Sequence, residues 1–348
     1  MTLSTKTVLL TGGAGVLGTA LIPQLHRYQV IGLAHHRPPA GCDRVVHGDV
    51  SKPLLGLDAA AYRELCADVD VVVHAAGMVK FSGTAEEMET LNVEGARQIS
   101  RFALDADAPM VHVSTAYVAR LEEIRAAGGD ETGRAGSSPA LYVSSKAAGE
   151  KIVTDSGAQV VIVRPSIIIG DSVTGEISEA QGLHTFAHNV LRNRLPFVPS
   201  APEGHVDFVA QDVVARAIVS LLDTDVRSGE YWLSGGPHAL TTHRLVELII
   251  EEAAAEGLHV DPLRVLAPDI VERLVRPAFF DVVPDWATTR LDRLLDMTAV
   301  LFHDYPIPTS LAEIPGCEAA ADVKANEEAW RASLRHMIKS RYDVYASA

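Results

Sequence analysis

Cysteine is scarce in this chain: Cys42, Cys66 and Cys317 are the only three in 348 residues. They are odd in number and share no close spacing, so a reducing cytoplasm is the expected setting. Long apolar runs are missing as well. The longest, Val160 to Val163 and Ile167 to Ile169, are separated by Arg164 and Pro165 and fall far short of a membrane span. No basic-then-apolar leader stands before the first expected strand, which begins at about Lys6. Basic charge is in deficit, 30 Lys and Arg against 45 Asp and Glu, for a net charge of −15. A nucleic-acid partner would need a basic stripe, and none is present. Net charge does not constrain a single cleft, so a local basic pocket for a phosphorylated ligand remains allowed. There is no internal repeat and no low-complexity segment.

What the chain does have is a long alternation of short apolar runs with amphipathic stretches, the pattern of a doubly wound α/β fold with a parallel sheet covered on both faces. Strands are expected near Thr7 to Leu10, Val30 to Ala34, Arg44 to His47, Val69 to His74, Met110 to Ser114 and Val160 to Val163. The clearest helices are Gly15 to Tyr28, with Pro23 as a point of kinking, Ala85 to Asp105 and Ser138 to Ser156. After Gly170 the alternation weakens. A Leu-rich helix at Asp212 to Leu222 and a strand at Tyr231 to Ser234 follow, and the chain from about Thr241 onward reads as mostly helical. The expected division is a dinucleotide-binding core over residues 1–170 and a smaller, mostly helical substrate-binding region over 171–348, with segments near 206–235 returning to the core.

The first chemical signal lies at the start of that core. The apolar run Val8-Leu9-Leu10 passes into Thr11-Gly12-Gly13-Ala14-Gly15-Val16-Leu17-Gly18, three glycines three apart directly after a strand. Gly12 suits a tight reversal, Gly15 lets the backbone lie against a pyrophosphate, and Gly18 allows close packing of the first helix. Phosphates would then meet the unpaired N–H groups of a helix N-terminus.

A second signal is Tyr142-Val143-Ser144-Ser145-Lys146 inside an expected helix. A spacing of four puts Tyr142 and Lys146 on one helical face. A tyrosine that donates a proton to a developing alkoxide needs its phenol pKa lowered from about 10, and a neighbouring ammonium favours the phenolate. A third is Val111-His112-Val113-Ser114-Thr115, an apolar strand ending in two hydroxyls where open α/β sheets bind ligands. Thr115 is the expected partner of a substrate carbonyl oxygen; its alternative role is to cap the following segment.

In this order the chain resembles the extended short-chain dehydrogenase/reductases. The resemblance rests on Thr11 to Gly18, Gly48-Asp49-Val50, His74-Ala75-Ala76-Gly77, Leu91-Asn92-Val93-Glu94-Gly95, Ser114-Thr115, Tyr142 to Lys146, and Arg164-Pro165 with Gly170, and runs over about the first 235 residues. It implies that Gly12, Ala14, Gly15, Val16, Leu17 and Gly18 bind the cofactor. It further implies that Asp49 and Val50 border the adenine, that Ala75, Ala76 and Gly77 line the cleft, and that Pro165 lies near the nicotinamide. Thr115, Tyr142 and Lys146 would be the catalytic set, with Lys146 also bonding a ribose hydroxyl.

Within that superfamily the chain is most similar to the fatty acyl-CoA reductase and thioester reductase branch. The features are Val79-Lys80-Phe81, His112 to Val118, Val163 to Ser172 with Thr174-Gly175, and Val206-Asp207-Phe208-Val209, which fits the strand that returns to the sheet in those reductases. Where the branch usually carries Val-Pro-Val-Asp, this chain reads Val209-Ala210-Gln211-Asp212. With no carrier or adenylation module attached, the resemblance implies a free-standing reductase whose acyl group arrives on coenzyme A or a separate carrier protein.

The end of the second strand, Leu33-Ala34-His35-His36-Arg37, holds no carboxylate for a ribose 2′-hydroxyl, so NADPH is expected over NADH, with Arg37 and His35 on the 2′-phosphate. Arg37 turned to solvent is the alternative. His184 and His188 share a helical face but lack a third ligand nearby, so no metal is expected. Asn92, in mid-helix, either bridges backbone or water near the site or packs helix on sheet. An apolar face of Leu183, Phe186, Val190 and Leu191 on a helix from Ala180 to Arg194 is expected to be a lid over the cleft or, equally, ordinary core. The leading expectation is NADPH-dependent reduction of an acyl thioester or its aldehyde. Alternatives are ketone or aldehyde reduction of a small natural-product or steroid-like substrate, NAD-dependent nucleotide-sugar epimerisation, and a redox-sensing scaffold without turnover. Oligomeric state is not written in the sequence.

Overall fold

The computed structural model describes residues 5–79, 83–126, 139–201, 203–275, 277, 298, 301–304 and 306–340. Strands form at β1 (Thr7–Thr11), β2 (Gln29–Ala34), β3 (Arg44–His47), β4 (Val71–His74), β5 (Met110–Val113), β6 (Val160–Pro165), β7 (Ile167–Ile169), β8 (Phe197–Pro199), β9 (His205–Val206), β10 (Phe208–Ala210) and β11 (Gly229–Leu233). Helices form at α1 (Val16–Leu21), α2 (Ala59–Asp68), α3 (Ala85–Met88), α4 (Gly95–Asp105), α5 (Leu121–Ala126), α6 (Pro139–Asp155), α7 (Gly182–Leu191), α8 (Gln211–Asp223) and α9 (Thr242–Ala255), and a last helix spans Val323–Lys339.

The runs β1, β4 and β5 are buried at every position, which is why they are continuously apolar rather than alternating. They form the middle of a seven-stranded parallel sheet in the order β11-β6-β5-β4-β1-β2-β3. This is the doubly wound α/β fold expected. The strand order reverses between β1 and β4, so the crevice beyond their carboxyl ends, at Thr11 and His74, is where such a sheet receives a ligand.

Alternate residues feed two apolar layers. Leu9, Ile31, Leu33 and Val72 meet Ile99 and Phe102 of α4 and Val153 of α6 on one face. Val8, Leu10, Val73, Val111 and Val163 meet Leu17 and Leu21 of α1 and Val214 and Ile218 of α8 on the other. That second layer runs on without a break into Phe186 and Val190 of α7, Leu245 and Leu248 of α9, and Trp330 of the last helix.

Several boundaries differ from expectation for identifiable reasons. The first helix ends at Leu21 and continues only as a 3₁₀ turn, Ile22–Leu25, because Pro23 lacks the N–H of an α turn. The stretch expected as one helix from Ala85 to Asp105 contains a π turn at Glu89–Glu94, which holds Asn92. The returning strand is β11. Val206-Asp207-Phe208-Val209 does not join the main sheet: it splits at Asp207 into β9 and β10, and β10 pairs with β7. At the split, the buried Asp207 carboxylate accepts from the Gly235 and Gly236 N–H groups at 2.8 and 2.9 Å. The face expected as a lid or as core is core: Leu183, Phe186, Val190 and Leu191 are all buried, and Phe186 packs edge-on against Phe302 with ring centroids 5.7 Å apart.

Candidate active site

The glycine turn and the end of β4 are pressed together. Gly12 has φ +72°, a backbone state that favours glycine, and a Cβ there would lie 2.5 Å from the Ala75 carbonyl carbon. Gly15 donates its N–H to the Gly12 carbonyl at 3.0 Å and caps α1 in an extended conformation. A Cβ on Gly18 would come within 2.4 Å of the Gly12 oxygen, so the contact that demands glycine is with the turn itself rather than with the sheet. Across the switch point, Thr11 Oγ1 lies 2.7 Å from His74 Nδ1 and accepts from the Ala76 N–H at 3.2 Å. Ala14, Val16 and Leu17 follow in the same turn, and Val16 is the first residue of α1. The two segments thus meet carrying no side chain larger than a methyl at Gly12, Gly13, Ala14, Gly15, Ala75, Ala76 and Gly77. That bare cradle fits a dinucleotide laid across the crevice.

Gly77 joins this cradle to the second constellation, since a Cβ there would lie 2.8 Å from Asn92 Oδ1 and 3.7 Å from Lys146 Nζ. Lys146 is buried on α6, and its Nζ donates to the Val113 carbonyl at 2.6 Å. One turn earlier on α6 stands Tyr142, whose phenol is near enough to Thr115, the residue just beyond β5 and Ser114, for the hydroxyl to influence its titration. Thr115 Oγ1 accepts from the Tyr117 N–H at 3.4 Å, which is the capping role foreseen for it. Pro165 ends β6, the strand beside β5.

Electrostatics departs from the sequence expectation at one point. Burial pushes the Tyr142 phenol up to about 12, and the Thr115 hydroxyl draws it down only in part. The lowering expected from Lys146 is not met; its ammonium donates to the Val113 carbonyl. Burial in turn brings the Lys146 ammonium down to about 8, against the pull of Glu150.

Just past the end of β2, the exposed His35 and His36 rings lie with centroids 3.7 Å apart and planes tilted by 35°. His35 Nε2 stands 3.7 Å from Asp49 Oδ2, and Asp49 also accepts from the Ser51 N–H and hydroxyl. Val50 is half-buried beside Asp49, and a Cβ on Gly95 would lie 3.5 Å from it, whereas Arg37 is exposed. Lys80 and Phe81 lie outside the described residues, as does Ser138. No group of three His, Cys, Asp or Glu suited to a metal occurs among the described residues.

Asn92 proves to be a bridge. Its amide nitrogen donates to Ser145 Oγ at 2.8 Å and to the Met78 carbonyl at 3.1 Å, while its oxygen accepts from the Met78 N–H at 2.8 Å. It therefore ties the loop after β4 to α6 beside Lys146. The π turn and the close approach of Gly149, where a Cβ would sit 2.5 Å from the Asn92 carbonyl oxygen, bring it there. Sequence reasoning missed Glu150 and Arg164 as neighbours of the site; the available signal was Glu150 four residues after Lys146 on the same helical face.

Fold and site together define an extended short-chain dehydrogenase/reductase. The sequence model of an NAD-binding family described as male sterility protein matches residues 43–218, half of the chain, and the chain belongs to that family. Membership in an NAD-binding family agrees with the bare dinucleotide cradle between Gly12 and Ala75. Among curated proteins it is similar to a polyketide synthase-nonribosomal peptide synthetase of Aspergillus flavipes, 30% identical over 245 residues, 63% of this chain and 6% of that protein. The chain thus spans about a sixteenth of the length of the curated relatives it matches. Among solved structures it is similar to the terminal R domain of the myxalamid PKS-NRPS pathway, with a TM-score of 0.67 at 21% identity over 98% of this chain and 93% of that one. The reductase domain of a nonribosomal peptide synthetase from Mycobacterium tuberculosis gives a TM-score of 0.64 at 23% identity over 96% and 92%. Among the described residues no helix is long and apolar enough to cross a membrane.

Proposed function

We propose that this protein reduces an acyl thioester with NADPH, releasing an aldehyde that a second reduction takes to an alcohol. The single observation that carries the reading is Lys146, buried on α6 one turn after Tyr142, with its ammonium bonded to Val113 at the carboxyl end of β5, two residues before Thr115, and set against Gly77 of the cradle. Similarity to reductase domains of thioester-using synthetases supports the substrate class. The acyl chain would be presented on coenzyme A or a separate carrier protein. We read residues 1–170 as the dinucleotide-binding core and 171–348 as the substrate-binding region.

The nicotinamide cofactor, when bound, supplies the hydride. Thr115 and Tyr142 donate hydrogen bonds to the oxygen on which charge develops as the carbonyl carbon becomes tetrahedral, a task suited to fixed donors in a dry site. When the carbon–sulfur bond breaks, the thiolate leaves and takes a proton, and an aldehyde remains. For an aldehyde bound in the same place, Tyr142 passes its phenolic proton to the alkoxide, and Lys146, set against Gly77 of the cradle, would bond a ribose hydroxyl of the cofactor. Asn92 keeps α6 in register with the loop at Met78. At the other end, His35 and Arg37 would meet the adenosine 2′-phosphate, with Asp49 and Val50 beside the adenine.

The test is consumption of NADPH and NADH by the purified protein across acyl-CoA, aldehyde and ketone panels, with aldehyde and alcohol products separated. One thiol released for every two NADPH consumed with alcohol as product, or for every one where the aldehyde accumulates, supports the reading. Turnover of ketones alone would overturn it.

A further inference from the structure

Beyond the catalytic set, α6 carries a third polar residue in the same file. Tyr142, Lys146 and Glu150 follow at intervals of four, so they stack along one helical face. Glu150 is no surface carboxylate: its side chain is 12% exposed, and the Arg164 side chain facing it is 8% exposed. Arg164 grips both Glu150 oxygens, from Nε at 2.9 Å and Nη2 at 2.7 Å. Its remaining amine, Nη1, reaches Glu230 of β11 at 2.6 Å, and its guanidinium lies 4.4 Å over the Trp232 ring. Arg164 itself directly precedes Pro165 on β6.

A buried ion pair of this kind is weak evidence for stability, since desolvating both charges offsets much of their attraction. Its position suggests another use. Lys146 is a buried cation, and the groups facing it are His74 from β4, His112 from β5, and Tyr142 and Glu150 from its own helix. Burial holds both histidines neutral. Glu150 is therefore the negative charge in that set, and Arg164 and Glu230 are the charges that face Glu150 in turn.

We propose that Glu150, held by the two-pronged grip of Arg164, is a positioning residue that acts through Lys146: it supplies the counter-charge that keeps the buried ammonium protonated and in place for Tyr142. This rests on the reading of Lys146 as part of the reducing site. The direction of the Lys146 titration agrees, because Glu150 pulls it upward against burial. Arg164 prevents Glu150 from swinging to bond the ammonium directly, which leaves Lys146 free to donate to Val113 and to a ligand.

The experiment compares Glu150→Gln, Glu150→Asp and Glu230→Gln with the parent, all as full chains. Lys146 is followed by NMR of lysine labelled with ¹³C at Cε, assigned by its loss in Lys146→Ala, so that this readout needs no turnover. In Glu150→Gln the Lys146 midpoint is expected to fall by about one pH unit. The alkaline limb of kcat for the best carbonyl substrate should move with it while KM for NADPH changes less than twofold. Glu150→Asp should restore most of the shift, and Glu230→Gln, which removes an exposed partner of Arg164, should leave the midpoint in place. Should Glu150→Gln fail to fold, the double variant Glu150→Gln/Arg164→Met removes both buried charges and serves for the same titration. An unmoved midpoint, or an equal shift in Glu230→Gln, overturns the proposal. Absence of carbonyl turnover in the parent would instead strike the functional reading and leave the titration standing.

Discussion

The Lys146 ammonium crosses from α6 to donate a 2.6 Å hydrogen bond to the carbonyl of Val113, the last residue of β5. Because Thr115 lies two residues further along and Tyr142 one helical turn back, this bond ties the helix that carries one hydroxyl to the strand that leads to the other. It also commits a proton of Lys146 to the protein, leaving two donors for a ligand.

Tyr142→Phe removes the hydroxyl and little else. NADPH binding should stay within twofold of the parent, while kcat falls by about 10²- to 10⁴-fold, the range for loss of a general acid. Lys146→Ala should impair both binding and turnover. Fluorescence titration of NADPH beside single-turnover rates separates the two, and near-normal turnover in Tyr142→Phe would mean a different acid.

Cofactor choice is expected to depend on the exposed tip of β2. Arg37→Ala should weaken NADPH by roughly 10- to 100-fold, the scale of one charged hydrogen bond, and leave NADH unchanged. Calorimetric titration of both cofactors against parent and variant gives the comparison; equal losses for the two would remove Arg37 from the 2′-phosphate.

Acid should destabilise the protein through its innermost histidines. Burial holds His74 down to about 3, with Lys146 adding to the effect, and His112 well below the ordinary histidine range. As pH falls below 6.5 the unfolded chain takes up these protons and the folded one does not, so stability is lost through that window at about 1.4 kcal/mol per pH unit for each group. Asp207 works the other way. Burial pushes it up to about 6, so the folded state is the one that takes up this proton between the two Asp values, offsetting one histidine. His184, brought down to about 4 by burial, and His188, also lowered by burial, add to the loss, so urea unfolding at several pH values should show stability falling below about pH 6 more steeply than one histidine alone would give. His112→Leu should flatten the slope by about one proton, and an unchanged slope would show that His112 is charged in the folded state.

α7 is expected to behave as core. Its amides should be protected from hydrogen exchange without any ligand, and Phe186→Ala should cost about 3 to 5 kcal/mol of stability. If those amides instead exchange freely until NADPH and substrate bind, the burial of Phe186 against Phe302 is not its resting state.

How much of this was written locally follows from the kind of contact each feature needs. Gly12, Gly15 and Gly18 announce a dinucleotide turn because the constraint on them arises within a few residues, and Tyr142 and Lys146 share a face by helical geometry alone. Continuous apolar runs such as Val71 to Val73 mark a sheet covered on both sides. These features, and with them the fold class and the main residues of the candidate site, depend on spacing and are readable in one dimension.

The remainder depends on partners far apart in the chain. Leu183, Phe186, Val190 and Leu191 make the same apolar stripe whether they cover a cleft or fill a core, and only the arrival of Phe302 and Trp330 decides for the core. A π turn of six residues at Glu89–Glu94 is too short to disturb helical periodicity, yet it is what delivers Asn92 to Ser145. The carboxylate beside His35 comes from Asp49 at the end of the neighbouring strand's turn, so the end of β2 gave no sign of it. Arg164 and Glu150 are 14 residues apart, and β6 must lie under α6 before their charges can meet. Spacing decided which residues are candidates for the chemistry, and tertiary packing decided which charges and donors surround them, because burial and electrostatic pairing belong to the assembled sheet and not to any one segment of it.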